Sequence, residues 1–424
     1  MPSVYVCSVG KCRGNLLDSQ HYKEFFIQNG WKLTSKIQEA DMILLNTCAY
    51  SSKVEDVCIQ KIGELEKKRK PDAKLVICGC LPDINTQRLR KAFKGDVFTP
   101  TTEHKLDELI NAEKKIAEIG EPTNFDLCAE DYQPYKDETK AYVTGKLKGA
   151  YRLARRFRVR ALYDYCINSL RDYRAYEAAY KLLNYNLRSN ECVDQYSGYI
   201  IRVADGCLGS CTYCSIRKAR GKLKSRPPEE IIDALREGVS KGEERITVFG
   251  DDIGAYGLDI GLNFPDILRR MLEVEGDFRL QLYNLNPNWL IKYFPELKEL
   301  MRNKKIGVVH CPLQSGSDRV LELMKREHTS ADIVECLSWI RREAPHVKLS
   351  TYVMVGFPGE TEKDFEDTLR VLDAVRFDDI VRVVQYTDRP GTLSSEIRDK
   401  VPEDVMAERQ RRAYWKLIKN TLGA

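Results

Sequence analysis

Short apolar runs alternate with amphipathic stretches along much of this chain. Val4 to Val6, Met42 to Leu45 and Leu75 to Ile77 are such runs, separated by stretches like Lys53 to Arg69 whose apolar residues recur at helical spacing. That alternation predicts a parallel-sheet α/β unit over residues 1–115. A second series follows: Arg245 to Phe249, Phe278 to Leu282, Ile306 to Val309, Leu349 to Val355 and Ile380 to Val384, divided by amphipathic stretches such as Pro228 to Lys241 and Ser317 to Met324. About six repeated βα units predict a partial, TIM-like barrel over 199–395, its site at the carboxyl ends of the strands. Residues 396–424 read as a C-terminal helix.

Residues 116–198 break the pattern. Between Ala141 and Asn190 there are eleven Lys or Arg against three Asp or Glu, with tyrosines interspersed and Leu153, Phe157, Leu162 and Tyr165 at helical spacing. One to three helices are expected, either as a basic, aromatic surface for RNA or an acidic peptide or as a helical spacer. Over all 424 residues the net charge is +5, which permits such partners without demanding them. No apolar run reaches the length of about eighteen residues that would suggest a membrane span, and the start lacks the features of a signal peptide, so a cytoplasmic protein without a membrane partner is expected. Fourteen cysteines spread through a long chain then point to metal ligation and burial rather than disulfides.

Two groups of cysteines stand out. Cys207-Leu-Gly-Ser-Cys211-Thr-Tyr213-Cys214 is a compact C-x3-C-x2-C trio without a nearby fourth ligand. Three thiolates can hold three irons of a [4Fe-4S] cube and leave the fourth open, whereas tetrahedral zinc usually takes two separated pairs. Elsewhere, Cys12, Cys48 and Cys80 each follow an apolar run, so a parallel sheet would gather them at its carboxyl edge, where a second cluster could form. Cys7, at the end of the first apolar run, is a fallback for Cys12. Cys78 competes with Cys80, and strand alternation would send both to one face. Cys128, Cys166 and Cys192 have no ligand-like spacing and read as structural. Among the five histidines, His310 reads as a packed strand residue. Gly250-Asp251-Asp252, Pro312 to Asp318 (with Gln314, Ser315 and Gly316) and Gly356 to Thr361 place small polar groups after strands.

The trio resembles the radical S-adenosylmethionine (SAM) signature. Cys12 to Ser19, Asn46-Thr-Cys48 and Gly79-Cys80-Leu-Pro82, followed by Ala219-Arg-Gly221, Ser225-Arg-Pro227, Gly254 to Asp259, Pro312 to Asp318, Gly356 to Thr361 and Arg389 to Thr392, resemble the successive boxes of methylthiotransferases over about 1–115 and 199–415. The Gly254 box is similar to that of the branch acting on threonylcarbamoyl adenosine in tRNA.

The resemblance implies two [4Fe-4S] clusters, on Cys207, Cys211 and Cys214 and on Cys12, Cys48 and Cys80. It implies SAM beside Tyr213, Gly250, Asp251, Asp252, Gln314, Ser315 and Gly316, and an electron donor such as flavodoxin or ferredoxin. One SAM would methylate a cluster-bound sulfur, and a second would yield the 5′-deoxyadenosyl radical that opens an unactivated C–H bond for the methylthio group. Family members usually continue into a TRAM domain, whereas this sequence stops at Ala424. With the basic insertion, that makes a peptide or protein the expected substrate and a tRNA nucleoside the alternative. Rival readings are a different sulfur insertion, electron transfer by the second cluster, or a non-enzymatic RNA-binding or iron-sulfur scaffold.

Overall fold

The computed structural model describes residues 1–9, 12–125, 198–378 and 381–422. Lys11, most of the expected basic insertion, and Cys128, Cys166 and Cys192 lie outside these residues. The described residues fall into two compact units, one comprising 1–9, 12–125, 198–284 and 387–396, the other 285–378, 381–386 and 397–422.

In the first unit, β1 (Ser3–Ser8), β2 (Lys32–Leu33), β3 (Met42–Thr47), β4 (Lys74–Gly79) and β5 (Asp96–Val97) form a parallel sheet in the order β2-β1-β3-β4-β5. β1, β3 and β4 are apolar on both faces because helices cover both. Tyr5, Ile43, Leu45 and Ile77 join one core cluster, while Val4, Leu44 and Val76 join another with Tyr22, Phe25 and Phe26. The register pairs Ser8 with Asn46 and Thr47 with Gly79, so three strands end almost level. The order reverses direction at β1, and ligands of open α/β sheets gather at such a switch point, beyond the carboxyl ends of the strands.

The same unit contains β6 (Tyr199–Asp205), β7 (Lys224–Ser225), β8 (Arg245–Gly250) and β9 (Arg279–Tyr283). β6 pairs in parallel with β8 and β8 with β9, while the two-residue β7 lies antiparallel to β6. Leu17 of the Arg13–Gln28 helix packs with Ile200 of β6 and Phe249 of β8, a small apolar contact between the N-terminal sheet layer and the later strands.

The second unit carries β10 (Ile306–His310), β11 (Lys348–Val355) and β12 (Val381–Gln385), paired in parallel in that order. The helix Glu362–Val375 starts in a capping box of Thr361 and Asp364. The C-terminal helix Glu403–Leu422 lies on β12, where Gln410 Nε2 donates to the Val383 carbonyl at 2.6 Å. The parallel strands β6, β8 and β9 of the first unit and β10, β11 and β12 of the second thus answer to the expected βα repeats, and the chain is α/β throughout its described residues. His310 is buried with its ring edge-on to Tyr352 at 4.3 Å, the packed strand residue expected.

Candidate active site

Both cysteine trios lie in the first unit. Cys12 precedes the Arg13–Gln28 helix, Cys48 directly follows β3, and Cys80 precedes the short Leu81–Ile84 helix. Their turns are locked by polar contacts. Asn46 Nδ2 donates to the Asn15 carbonyl at 2.8 Å and to Ser19 Oγ at 2.9 Å, and Asn15 Nδ2 returns a bond to Asn46 Oδ1 at 2.8 Å. The Cys80 amide donates to the Thr47 carbonyl at 2.8 Å, and Cys58 Sγ donates to the Cys48 carbonyl at 3.3 Å. Burial pushes the Cys48 and Cys80 thiols above their ordinary range; Cys12 raises Cys48 further, and Cys48 and Cys12 raise Cys80 against the pull of Arg220. Thiols so placed become thiolates when a metal takes the proton's place.

The alternatives sort by face. Cys78 belongs to the core cluster on one side of the sheet, while Cys80 packs against the cluster on the other side with Cys48 and Cys58. The expected shared face for Cys78 and Cys80 is therefore corrected. Gly79, with φ +90°, ends β4 and interrupts the alternation between them. Cys7 is buried inside β1 and Cys12 is exposed beyond it, at the sheet edge with Cys48 and Cys80.

The second trio follows β6. Gly206 turns the chain with φ +74°, and a Cβ there would come within 2.2 Å of the Lys222 carbonyl oxygen. Its amide donates to Asp251 Oδ2 at 2.9 Å, so a carboxylate from the loop after β8 holds the turn that starts the trio. Asp252 is buried, and its Oδ2 stands 4.0 Å from Cys207 Sγ. The Gly209 amide donates to Cys207 Sγ at 3.1 Å, and a Cβ on Gly209 would lie 3.2 Å from that sulfur and 3.8 Å from Cys211 Sγ. This bare glycine leaves the loop concave between two thiols, the shape a cluster needs. Burial pushes the Cys207 thiol up to about 12 and the Cys214 thiol to about 11, while the amides of Ile216 and Arg217 pull Cys214 back. Among the described residues no three His, Cys, Asp or Glu side chains converge tightly enough for one ion. A cube asks for a looser set, one thiolate on each of three irons.

Charged side chains missed by sequence reasoning tie these loops together. Arg202 on β6 and Arg220, which ends the Ile216–Arg220 helix, both bind Asp18: Arg202 Nη2 lies 2.7 Å from Oδ1 and Arg220 Nη2 lies 2.7 Å from Oδ2. Arg202 also reaches Glu121 at 3.0 Å and Asp205 at 3.1 Å. Burial pushes the Asp18 carboxyl up, but Arg220 and Arg202 outweigh it and hold the group below the usual carboxylate range. In a second bridge, the buried Glu55 accepts from Arg389 Nη1 at 2.6 Å, Arg88 Nη1 at 3.0 Å and Asn85 Nδ2 at 3.0 Å. Arg13, beside Cys12, lies over the Tyr283 ring at the end of β9, 4.1 Å from its centroid. Asp18, Arg220 and Arg389 had already fallen inside the recognised boxes, but nothing in their spacing gave their partners.

The other predicted residues have the following neighbours. The Gly250 carbonyl accepts from Asn284 Nδ2 at 2.9 Å. Tyr213 is half-buried in the cysteine loop, beside Thr212, whose carbonyl accepts from the Ser394 amide at 3.0 Å. In the second unit, Gln314 adopts φ +71° and forms an isolated bridge with Val353. The Gly316 amide and the Ser315 hydroxyl meet Thr368 Oγ1 at 2.9 and 3.4 Å, and a Cβ on Gly316 would come within 2.7 Å of the Thr368 Cα. Ser315 and Gly316 thus pack on the Glu362–Val375 helix. The Gly254–Asp259 box is a clasp in the first unit: Tyr256 Oη donates to the Arg226 carbonyl at 2.9 Å, and Asp259 accepts from the Ser225 amide at 2.8 Å.

Two families of known proteins match this chain. The Radical SAM superfamily matches residues 201–372, and the group described as "Uncharacterized protein family UPF0004" matches residues 3–99. The tRNA-2-methylthio-N(6)-dimethylallyladenosine synthase of a Nitratiruptor species is 30% identical over 413 residues, covering 96% of this chain and 81% of that protein. The probable threonylcarbamoyladenosine tRNA methylthiotransferase of Pyrococcus horikoshii is 28% identical over 415 residues, covering 97% of this chain and 83% of its own. Among solved structures, the radical SAM methyltransferase TsrM of Kitasatospora setae aligns with a TM-score of 0.58 at 14% identity, over 93% of this chain and 75% of that one, a likeness of fold. The chain is an enzyme that belongs to the radical SAM methylthiotransferase family.

Proposed function

We propose that the enzyme attaches a methylthio group to a modified adenosine of tRNA. The observation that carries this reading is the extent of the match: two relatives named as tRNA-modifying enzymes align over at least 96% of this chain. The peptide substrate expected from the sequence rested on where the chain stops and on an insertion most of which lies outside the described residues, and the relatives favour tRNA over it. We assign residues 1–115 to an auxiliary-cluster domain, 199–395 to the radical SAM domain and 396–424 to a closing helix.

In this reading Cys207, Cys211 and Cys214 hold one [4Fe-4S] cluster, and Cys12, Cys48 and Cys80 hold a second. Bound there with SAM, the clusters supply a hydrogen-abstracting radical and a methylated sulfur. The protein's own groups set the geometry. Asp251 fixes the start of the cysteine loop through the Gly206 amide, and Asp252 stands beside Cys207. Glu55 holds the turns after Cys48 and Cys80 together through Asn85 and Arg88. An external one-electron donor is required.

The test is anaerobic incubation of reconstituted enzyme with SAM, dithionite and tRNA carrying dimethylallyl- or threonylcarbamoyl-adenosine, with a peptide library alongside. Nucleosides are then examined for a gain of CH2S. Methylthio-adenosine from either tRNA supports the reading. Gain of bare sulfur, or modification of peptide alone, overturns it.

A further inference from the structure

We propose that Asp18 is a positioning residue that sets the radical SAM cysteine loop against the auxiliary cysteine loop. Its place in the chain suits that task. The helix bearing Asp18 begins directly after Cys12, Arg202 precedes Cys207 on β6, and Arg220 closes the helix that follows Cys214. Both ends of the Cys207–Cys214 loop are therefore referred to one carboxylate carried by the auxiliary-site helix.

The side-chain exposures of Asp18, Arg202 and Arg220 are 2%, 5% and 5%, so water cannot substitute for any of them. Asp205, which also meets both arginines, is 38% exposed and replaceable. Gly14 supplies a second, independent sign of fit. A Cβ there would lie 2.7 Å from Arg220 Nη2, and the Gly14 carbonyl accepts from Arg202 Nη2 at 3.1 Å. The far end of an arginine usually moves aside cheaply, but here Asp18 pins it. Leu17, Ile200 and Phe249 already provide apolar adhesion at this contact. What two guanidiniums on one carboxylate add is direction, since planar forks accept few relative orientations. Sulfur transfer needs that direction, because a misplacement of about 1 Å can cost on the order of 100-fold in rate.

The inference rests on the reading of the two trios as cluster sites, so its test begins on protein without clusters. Hydrogen-deuterium exchange is compared for the parent, Asp18→Asn and Gly14→Ala. Amides of 206–221 should lose protection in both variants, although the substitutions lie in the Arg13–Gln28 helix. In loaded enzyme with tRNA, 5′-deoxyadenosine formed per methylthio product should rise about 10- to 100-fold. Asp18→Glu keeps the charge but lengthens the arm, and should restore thermal stability without restoring that ratio. Should Asp18→Asn not fold, Gly14→Ala carries the test, since it leaves every charge in place. Exchange confined to residues 13–28, or a product ratio within twofold of the parent, overturns the proposal. Parent enzyme that binds only one cluster's iron sinks the two-cluster reading instead, and leaves the exchange experiment to decide the bridge.

Discussion

Gly79 stands between Cys78 and Cys80 at φ +90°, and a methyl group there would lie 2.3 Å from both Asn46 Oδ1 and the Thr47 carbonyl oxygen. Both atoms belong to the polar lock around the auxiliary trio, so neither can retreat cheaply. Gly79→Ala should destabilise the protein by at least about 1–3 kcal/mol, measured by urea unfolding, and lower the reconstituted iron content by one cluster. Glu55→Ala acts differently, since it strands Arg389 at 5% side-chain exposure without its carboxylate. A loss of about 3–5 kcal/mol is expected, again from urea unfolding. At this scale the sequence was legible for chemistry and poorly legible for partners. The two cysteine trios stood out by spacing and by their places after apolar runs, while their reading as cluster ligands came from the resemblance to methylthiotransferases. The fork on Asp18 did not, because Arg202 and Arg220 are far from it in sequence and no local periodicity records such a pairing. The opposed faces of Cys78 and Cys80 were misread because alternation was carried one residue past the end of a strand.

The principal strands could be read from their apolar runs, because strands buried on both faces need such runs. The five-residue helix after Cys214 and the two-residue β7 carry too little pattern to be seen, and tertiary contacts hold them. Ala219 of that helix packs into the core of the N-terminal sheet. In the second unit, the C-terminal helix meets the turn after β11 through Arg409 and Glu360. Arg409 Nη1 and the Gly356 amide both donate to Glu360 Oε2, at 2.8 and 2.6 Å, while Oε1 is buried without a hydrogen bond among the described residues. Burial therefore outweighs these donors and pushes the Glu360 carboxyl up to about 7. A carboxyl raised on folding stabilises the folded state below its unfolded value and loses that contribution as pH rises through the folded one. The window runs from 4.5 to about 7, and the loss should total about 3 kcal/mol. Urea midpoints across that window should slope downward in the parent and flatten in Glu360→Gln. Deleting 403–424 should be more severe, because β12 loses the bonds that Gln410 and Tyr414 make to Val383. The shortened protein should aggregate in a solubility assay.

For the molecule as a whole, sequence reasoning supplied the family and the fold class but leaned towards a peptide partner that the names of the relatives do not favour, since a net charge of +5 and a basic insertion suit RNA and acidic peptides alike. Salt dependence separates the insertion's contribution from the rest. If its cations meet phosphates, replacing 126–197 by a short Gly/Ser linker should reduce the slope of log K against log salt for tRNA binding by roughly 0.7–0.9 for each phosphate that is no longer neutralised, measured by filter binding. An unchanged slope would make the insertion a spacer.

The first unit is closed by the segment that carries Arg389, whose guanidinium reaches Glu55 and the Ala49 carbonyl more than three hundred positions back along the chain. At translation speeds of roughly 5–20 residues per second, a ribosome needs roughly 20 to 80 s to reach that arginine. Until then Glu55 lacks one of its three donors, and the turns bearing Cys48 and Cys80 wait for a partner still being made. If Cys48 and Cys80 hold a cluster, iron-sulfur assembly on the nascent chain would begin on an unfinished binding site, and the last tenth of the polypeptide would decide when its first fifth is ready for metal.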